Sequence, residues 1–256
     1  MQRRAFLAAL AVLAASGTPA AARDGFLERL LRRLNRPQAG AKPAREQSGT
    51  QHPGGLSAAD ASQGLRQALR IGIDAVTRQL GAPGGFFDDP KIRIPLPKTL
   101  RKARKLAKPL GLTGPFDDLQ ARMNHGAEAA MPQGKAILKQ AVGSMTIDDA
   151  LAIVRGPDDS ATQFLRTHAG PSLAEAFTPV VRTALDQSGA MAAGKALAGR
   201  YRLGEFAGRA EEKLTRHVVK GALSGVFYYL AGQERKIRAH PGAYASDLLE
   251  RVFGRA

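Results

Sequence analysis

The sequence predicts an all-α protein: a single multi-helix domain, bundle-like with orthogonal crossings, of roughly eight or nine helices and no substantial sheet. Apolar residues recur at helical spacing through most of the chain after residue 55. Glycine and proline divide this part into segments of helix length, several of which begin with a capping residue. The chain has 256 residues, of which 44% are hydrophobic, so it can bury one core of ordinary size.

Residues 1–22 have the composition of an export signal. Arg3 and Arg4 precede an apolar stretch at residues 6–15 that is too short to span a bilayer, and three alanines ending at Ala22 form a small-residue cleavage site. We therefore expect cleavage after Ala22 and a periplasmic location. The twin arginines followed by Phe-Leu also fit a twin-arginine signal, so that route and general secretion both stay open.

Two short regions separate this signal from the helical domain. Residues 23–34 place Phe and Leu on one helical face and arginines on the other, which predicts a short basic amphipathic helix. Residues 35–54 have no apolar periodicity and are rich in Pro, Gly and polar residues, which predicts a disordered linker. The helical domain is then expected to occupy residues 55–256.

The balance of charge is strongly basic. The formal net charge is +16, and because the signal contains Arg3 and Arg4 but no acidic residue, the mature chain carries +14. An excess of this size favours anionic partners such as lipid headgroups, envelope polyanions or nucleic acid. The alternative is a basic composition without a dedicated partner. The chain has no cysteine, so its stability comes from packing without disulfides.

The helical pattern begins at Ser57, which with Asp60 predicts an N-cap, and it ends before Gly81. An apolar stripe predicts the buried face of this first helix: Ala61, Leu65, Leu69, Ile73, Val76 and Leu80. Residues 82–97 then break the pattern, and apolar residues alternate with others in IRIPLP at 92–97. Because its prolines argue against a sheet strand, we expect a short extended Pro-rich strip lying across helices in a groove.

Glycine and proline predict the breaks between the later helices, including one at Pro132. Three residues are expected to cap new helices, namely Thr146, Ser172 and Ser246. The longest helix is expected from about Ala210 to Ala239. Small residues along it at 221–225 indicate a place where another helix approaches closely.

The densest charge pattern lies in a helix predicted to start at Lys98, and no acidic residue occurs between Lys91 and Pro115. Four apolar residues are expected toward its other side, namely Leu100, Ala103, Leu106 and Leu110. This basic helix is a candidate anion-binding site, with a solvated face as the alternative. It contains no aromatic residue, which disfavours binding of single-stranded nucleic acid. Its cations are Lys98, Arg101, Lys102, Arg104, Lys105 and Lys108.

Motifs for catalysis or metal binding are sparse. The five histidines are scattered, and His125 with Glu128 three residues on is the nearest approach to a metal or acid–base pair; a polar pair at the surface is the simpler interpretation. Residues 189–195 match a phosphate-loop spacing, but Ala196 replaces the hydroxyl residue, so we interpret the match as coincidental. We expect no metal and no cofactor, and the sequence contains no serine-hydrolase motif.

Seven segments occur in a characteristic order between Gly55 and Gly254: GLSAADASQGLRQALRIGIDAVTRQLG, GFFDDPKIRIPLP, MNHGAEAA, MTIDDALAIVRG, ATQFL, GVFYYLAGQERKIRAHP and LLERVFG. Together they resemble the bacterial family catalogued as domain of unknown function 4197. The resemblance implies an exported all-helical protein and supplies no activity. The family has arginine where this chain has His125, so no family-wide role is implied for this histidine. The resemblance nominates polar motif positions: Asn124, Glu128, Asp149, Thr162, Glu234 and Arg238.

Three functional hypotheses follow. The leading one is a non-enzymatic binding or scaffold protein whose partner is a lipid, an anionic envelope surface or another protein, with no transmembrane helix in the mature chain. The alternative is an envelope hydrolase or transferase that uses Glu128, Asp149 or Glu234 as acid or base. An enzyme would bring two of these carboxylates into one pocket, whereas a scaffold would leave them dispersed and locally hydrogen-bonded. Nucleic-acid binding through the basic helix is the least favoured.

Overall fold

The computed structural model describes residues 57–254. The predicted signal at 1–22, basic helix at 23–34 and linker at 35–54 lie outside the described residues. Within 57–254 the chain is helical and contains no strand, which confirms the all-α prediction. None of the helices in this range combines the length and the hydropathy that crossing a bilayer requires.

Short turns join most of the helices, and a longer loop at residues 81–97 joins the first helix to the second. Two 3₁₀ turns, Lys108–Leu110 and Pro241–Tyr244, each follow an α-helix, and a π-helical turn, Leu165–Ala169, joins two others. The α-helices are α1 (Ala58–Leu80), α2 (Lys98–Ala107), α3 (Gly114–Gly143), α4 (Ile147–Val154), α5 (Ser160–Phe164), α6 (Gly170–Gln187), α7 (Ala190–Arg200), α8 (Glu205–Gly208), α9 (Ala210–Ala239) and α10 (Asp247–Phe253).

Four long helices enclose the core. Helix α3 packs against α1 and α6, and α9 packs against the same two helices, so α1, α3, α6 and α9 form a closed ring. The shorter helices α4 and α10 pack on α1, and α7 contacts both α3 and α9. Phe116 of α3 and Phe177 of α6 are completely buried in this core.

Helix α1 agrees with its sequence pattern. The Ser57 hydroxyl accepts a hydrogen bond from the Asp60 N–H at 3.0 Å, as an N-cap does. All six residues of the predicted apolar stripe are at most 2% exposed. The predicted bounds of the longest helix also match α9, which runs Ala210–Ala239.

Two predicted helix boundaries were wrong. Helix α3 continues through Pro132, because Met131 and Gly134 on either side are buried and their packing outweighs a proline penalty of about 3 kcal/mol. Helix α6 begins at Gly170, where the first turn tolerates proline, so Ser172 lies inside the helix and caps nothing. The caps predicted at Thr146 and Ser246 are confirmed.

The extended strip, residues 92–97, lies between α3 and α9. Its apolar side chains at 92, 94 and 96 are at most 8% exposed, whereas Arg93 and Pro95 face solvent, as the alternation predicted. The expectation that a helix approaches α9 at its glycines was wrong. A Cβ on Gly221 would lie 2.9 Å from Ile94, and one on Gly225 would lie 2.8 Å from the Phe86 ring, so the close neighbour there is the loop that contains the strip.

Candidate functional site

Asn124 of α3 is fully buried and binds the backbone of the strip. Its Oδ1 accepts a hydrogen bond from the Ile94 N–H at 2.8 Å, and its Nδ2 donates to the Ile94 carbonyl at 2.9 Å. Nδ2 also donates to the Gln120 carbonyl at 2.8 Å. The side-chain amide therefore supplies the donor and acceptor that a neighbouring strand would otherwise give to Ile94. Asn124 fixes the strip on α3 and has little capacity left for a ligand.

Glu128 lies one turn further along α3 and holds the same loop. Its Oε1 accepts hydrogen bonds from the N–H groups of Phe86 at 3.0 Å and Phe87 at 3.1 Å. Successive backbone N–H groups bind anions well, and here they bind this 5% exposed carboxylate. His125 is exposed, its ring lies 5.8 Å from that of Phe87, and no hydrogen bond joins it to Glu128. In the described part of the chain, no three His, Asp or Glu residues form a group that could hold a metal ion.

Helix α9 holds the loop from the other side. The Tyr229 hydroxyl donates to Asp89 Oδ2, and this hydrogen bond, with burial, raises the pKa of Tyr229 to about 12. The same hydrogen bond lowers the pKa of Asp89. His217 Nε2 lies 2.6 Å from the Pro95 carbonyl oxygen. Polar side chains from α3 and from α9 therefore anchor residues 86–95.

A second buried network joins α9 to α4 and α5. Glu234 accepts hydrogen bonds at 2.8–2.9 Å from the N–H groups of Ala161 and Thr162 and from the Thr162 hydroxyl. Arg238 donates to Glu234 at 3.0 Å and to the last carbonyls of α4 at 3.0 and 3.2 Å. The two side chains are only 4% and 8% exposed. The carboxylate thus meets the amino end of α5 and the guanidinium meets the carboxyl end of α4, the favourable orientation for helix dipoles.

Asp149 belongs to a third, local network. It forms a capping box with Thr146, whose N–H and hydroxyl donate to Asp149 Oδ2 at 3.1 and 2.6 Å. Glu128, Asp149 and Glu234 therefore have separate sets of partners. A groove of about 1120 Å³ lies between α6 and α9, and none of these three carboxylates lines it.

Helix α2 and the 3₁₀ turn after it, which contains Lys108, present most of their cations to solvent. Within residues 57–254 none of the five exposed ones has an ion-pair partner within 4.0 Å. Arg104 differs, because its Nε lies 2.7 Å from Asp117 Oδ1 and so ties α2 to α3. The exposed five are Lys98, Arg101, Lys102, Lys105 and Lys108.

The expected apolar side of this helix is confirmed for Leu100 and Ala103, which are buried, and was wrong for Leu106 and Leu110, whose exposures are 79% and 72%. The buried face of α2 is formed by Leu100, Ala103 and Ala107, and Leu106 lies about 100° around the helix from its neighbour Ala107. Leu112 beyond the helix end is also 44% exposed, and the sequence analysis did not single it out. The sequence does contain one signal of this exposure. Leu106 and Leu110 continue the i, i+4 row that starts with Lys98 and Lys102, so they share the face of these lysines.

Comparison with protein families agrees with the motif order. A family model described as a protein of unknown function, DUF4197, matches residues 55–254. The chain belongs to this family. The match confirms the resemblance drawn from the motifs, and the description carries no activity. No curated protein and no solved structure matches the chain.

The polar motif positions of this DUF4197 chain thus occupy the networks described above. Asn124 and Glu128 hold the loop; Thr162, Glu234 and Arg238 join three helices. The sequence analysis missed the part of α9 in holding the loop, through Tyr229 and His217. Both lie more than a hundred residues from their partners, a separation that leaves no local pattern.

Proposed function

We propose that this protein is a non-enzymatic binding protein of the cell envelope that docks on an anionic lipid surface through α2. The observation that carries the proposal is the placement of Leu106, Leu110 and Leu112, all exposed, beside five exposed cations without ion-pair partners in the described residues. Apolar side chains enter the headgroup boundary while cations meet anionic headgroups, so the two groups act on the same surface.

The energetic terms are comparable in size. A lysine or arginine near an anionic membrane contributes about 1 kcal/mol. A leucine that passes from full exposure to full burial contributes about 2 kcal/mol. Docking therefore depends on both the charge and the leucines, and it weakens as salt screens the charge.

The exposed leucines separate this function from its rivals. A merely solvated basic face has no use for two neighbouring leucines that are more than 70% exposed. Nucleic acid would be bound by the cations, but no aromatic side chain on α2 offers a base a stacking surface. Docking on a lipid surface accounts for the cations and the leucines together.

The carboxylates favour a binding role over an acid–base enzyme. Glu128 and Glu234 are each engaged by at least two donors in the protein, and Asp149 completes a capping box. A general acid or base needs an oxygen aimed at substrate in a pocket. The separate networks support the scaffold hypothesis.

The cell envelope is the proposed location because residues 1–22 have the pattern of an export signal. Mass spectrometry of the protein from the periplasmic fraction should give a mature N-terminus at Arg23. Replacing Arg3 and Arg4 with lysine should block export if the twin-arginine route is used. Unchanged export of that variant would assign the protein to general secretion, and an uncleaved cytoplasmic chain would contradict the proposed location.

Vesicle co-sedimentation tests the docking itself. Phosphatidylglycerol vesicles should bind the purified protein, phosphatidylcholine vesicles should not, and rising salt should release it. Two double variants should lose binding: Lys102→Glu with Lys105→Glu, and Leu106→Ser with Leu110→Ser. Lys236→Glu is the charge control, since Lys236 is an exposed lysine on α9 that belongs neither to α2 nor to the groove between α6 and α9.

The outcomes separate the alternatives. Loss of binding in both double variants but not in Lys236→Glu supports docking through α2. Equal binding to both kinds of vesicle, or binding that survives both double variants, contradicts it. Loss in the lysine variant alone, with duplex DNA competing as well as the vesicles, would assign α2 to polyanions in general and would overturn the lipid function.

A further inference from the structure

A groove of about 1120 Å³ opens between α6 and α9 and reaches α7 and α8. This volume is large enough for a small-molecule ligand, since such sites commonly measure about 300–1000 Å³. None of the polar motif residues of the family lines the groove, and α2 does not contribute to it. Binding of a ligand in this groove is therefore independent of the docking proposed for α2.

The floor of the groove is an apolar row on α9. Thr215, Val219, Leu223 and Phe227 follow one another at i, i+4 spacing and are at most 7% exposed. The row extends over about 18 Å at the helical rise of 1.5 Å per residue. Ala174 of α6 adds to the opposite wall. An elongated hydrocarbon chain fits this long and narrow surface better than a compact polar molecule does.

The rim of the groove is net positive. Six cations and three acidic residues line it. Glu211 pairs with Arg182 at 3.3 Å and with Lys195, and the Lys195 hydrogen bond lowers the pKa of Glu211. The remaining acids are Glu175 and Glu212, and the other cations are Arg166, Arg209, Arg216 and Lys220.

Three rim cations have no ion-pair partner within the described residues: Arg166, Lys220 and Arg209. Arg209 precedes α9, at the end of the row away from Phe227, and Arg216 pairs with Glu212. The Arg166 guanidinium lies 5.3 Å from the centre of the Phe227 ring. Ser224 is exposed, lines the groove and lies on α9 one turn after Lys220 and one turn before Phe227, whose ring Arg166 contacts. A negatively charged headgroup placed over Ser224 would meet both Lys220 and Arg166.

From this arrangement we infer that the groove binds an amphipathic anion with a single hydrocarbon chain, the headgroup at Arg166 and Lys220 and the chain along the α9 row. A fatty acid and a single-chain phospholipid share this chemistry. The positive rim disfavours the chain's own segment 23–34 as occupant, because that segment is itself basic.

Isothermal titration calorimetry with decanoate below its micelle concentration tests the inference. Saturable one-site binding is expected, and decyltrimethylammonium of the same chain length should not bind. Acetate and inorganic phosphate, which lack the chain, should not compete. Monodecyl phosphate compared with decanoate distinguishes a phospholipid headgroup from a carboxylate.

Two groove variants locate the site. Lys220→Glu should weaken decanoate binding by about fivefold or more, since it reverses a charge beside the anion. Ser224→Trp should abolish binding, because an indole at this exposed position fills the groove without disturbing the core. Lys236→Glu, at an exposed lysine of α9 outside the groove lining, is the matched control and should leave decanoate binding unchanged. Lys102→Glu is measured beside it to separate the groove from α2.

Each outcome decides the inference. Lys220→Glu remains informative if the tryptophan variant does not fold. Equal affinity for the anionic and cationic amphiphiles, or affinity unchanged in the folded groove variants, overturns it. Loss of decanoate binding in Lys102→Glu moves the site to α2 and also overturns it. Because vesicle binding depends on Lys102 and the groove on Lys220, failure of one proposal leaves the other measurable.

Discussion

Helices α2 and α3 are neighbours in the chain and carry their polar side chains in opposite environments. On α3, Asn124 and Glu128 are at most 5% exposed, and each is hydrogen-bonded to the backbone of the loop that contains the strip. On α2, Lys102 and Lys105 are exposed, and neither has an ion-pair partner within residues 57–254. Leu106 beside them is 79% exposed.

This comparison distinguishes polar residues that stabilise the fold from polar residues that remain available for binding. A buried polar group whose partners are all within the protein costs free energy when those partners are lost. An exposed charge without a partner contributes little to folding and stays available for binding. We therefore expect substitutions at the first kind of position to change stability, and at the second kind to change binding.

The largest effect on stability is expected from Glu234→Ala. This substitution leaves Arg238 buried without its counter-charge, and breaking a buried pair costs about 3–5 kcal/mol. The free energy of unfolding from urea titrations measures it. Glu212→Ala is the matched control, because Glu212 and Arg216 form an i, i+4 pair on the same helix that is more than half exposed. This control should change stability by at most about 1 kcal/mol; equal effects would contradict the structural role of Glu234.

Asn124→Ala is expected to cost about 2–4 kcal/mol, because the Ile94 N–H and carbonyl are left without partners in the interior. Hydrogen exchange at the Ile94 amide should accelerate more than exchange in α1. Gln133→Ala removes an exposed amide from the same helix and should alter stability by less than about 0.5 kcal/mol. Normal exchange at Ile94 in the Asn124 variant would show that the strip is held by other contacts.

A glycine pair on α9 tests the close approach of the loop. In Gly225→Ala the new Cβ would lie 2.8 Å from the Phe86 ring and 3.3 Å from Ile92 Cβ. Overpacking exceeds the gain in helix propensity, so a net loss of about 1–2 kcal/mol is expected. At Gly232 a Cβ meets nothing within 4 Å, and Gly232→Ala should stabilise the protein by up to about 1 kcal/mol. Thermal melts that shift both variants in the same direction would refute the close contact.

Tyr229→Phe should cost about 1 kcal/mol, because it removes the hydrogen bond to Asp89. The folded-state pKa of about 12 lies above the ordinary value of 10.0, so this stabilisation is complete below pH 10 and is lost as the pH rises toward 12. The stability difference between wild type and variant should therefore shrink over that interval. Tyr228→Phe, at a neighbouring 46% exposed tyrosine, is the control. A difference that is constant with pH would contradict the Tyr229–Asp89 pairing.

The smallest effect on stability is expected on α2. Leu106→Ser and Lys102→Gln should each change the free energy of unfolding by less than about 0.5 kcal/mol, since both side chains are exposed. The same variants should weaken binding to phosphatidylglycerol vesicles. A large loss of stability in Leu106→Ser would mean that this leucine packs within the protein, and the contrast between α2 and α3 would then fail.

The sequence predicted where helices lie better than it predicted which of their faces pack against other helices. The apolar stripe of α1 and the bounds of α9 followed from periodicity alone, because a helix buries residues on one face. The position of Leu106 could not be predicted in the same way. Both faces of a short helix contain leucines, and the face that docks depends on its neighbours. The groove was missed because its lining comes from four consecutive helices, and the way they pack against one another leaves no local pattern in the sequence.

The sequence by itself determined the all-α fold, most helix boundaries and the caps at Ser57, Thr146 and Ser246, because these depend on side chains within a few residues of one another. Only the tertiary structure decided what the polar motif residues do. Asn124 reaches Ile94 across 30 residues, and Glu234 reaches Thr162 across 72. Such partners meet only when the long helices pack, and a local pattern carries no record of which distant backbone will lie beside them.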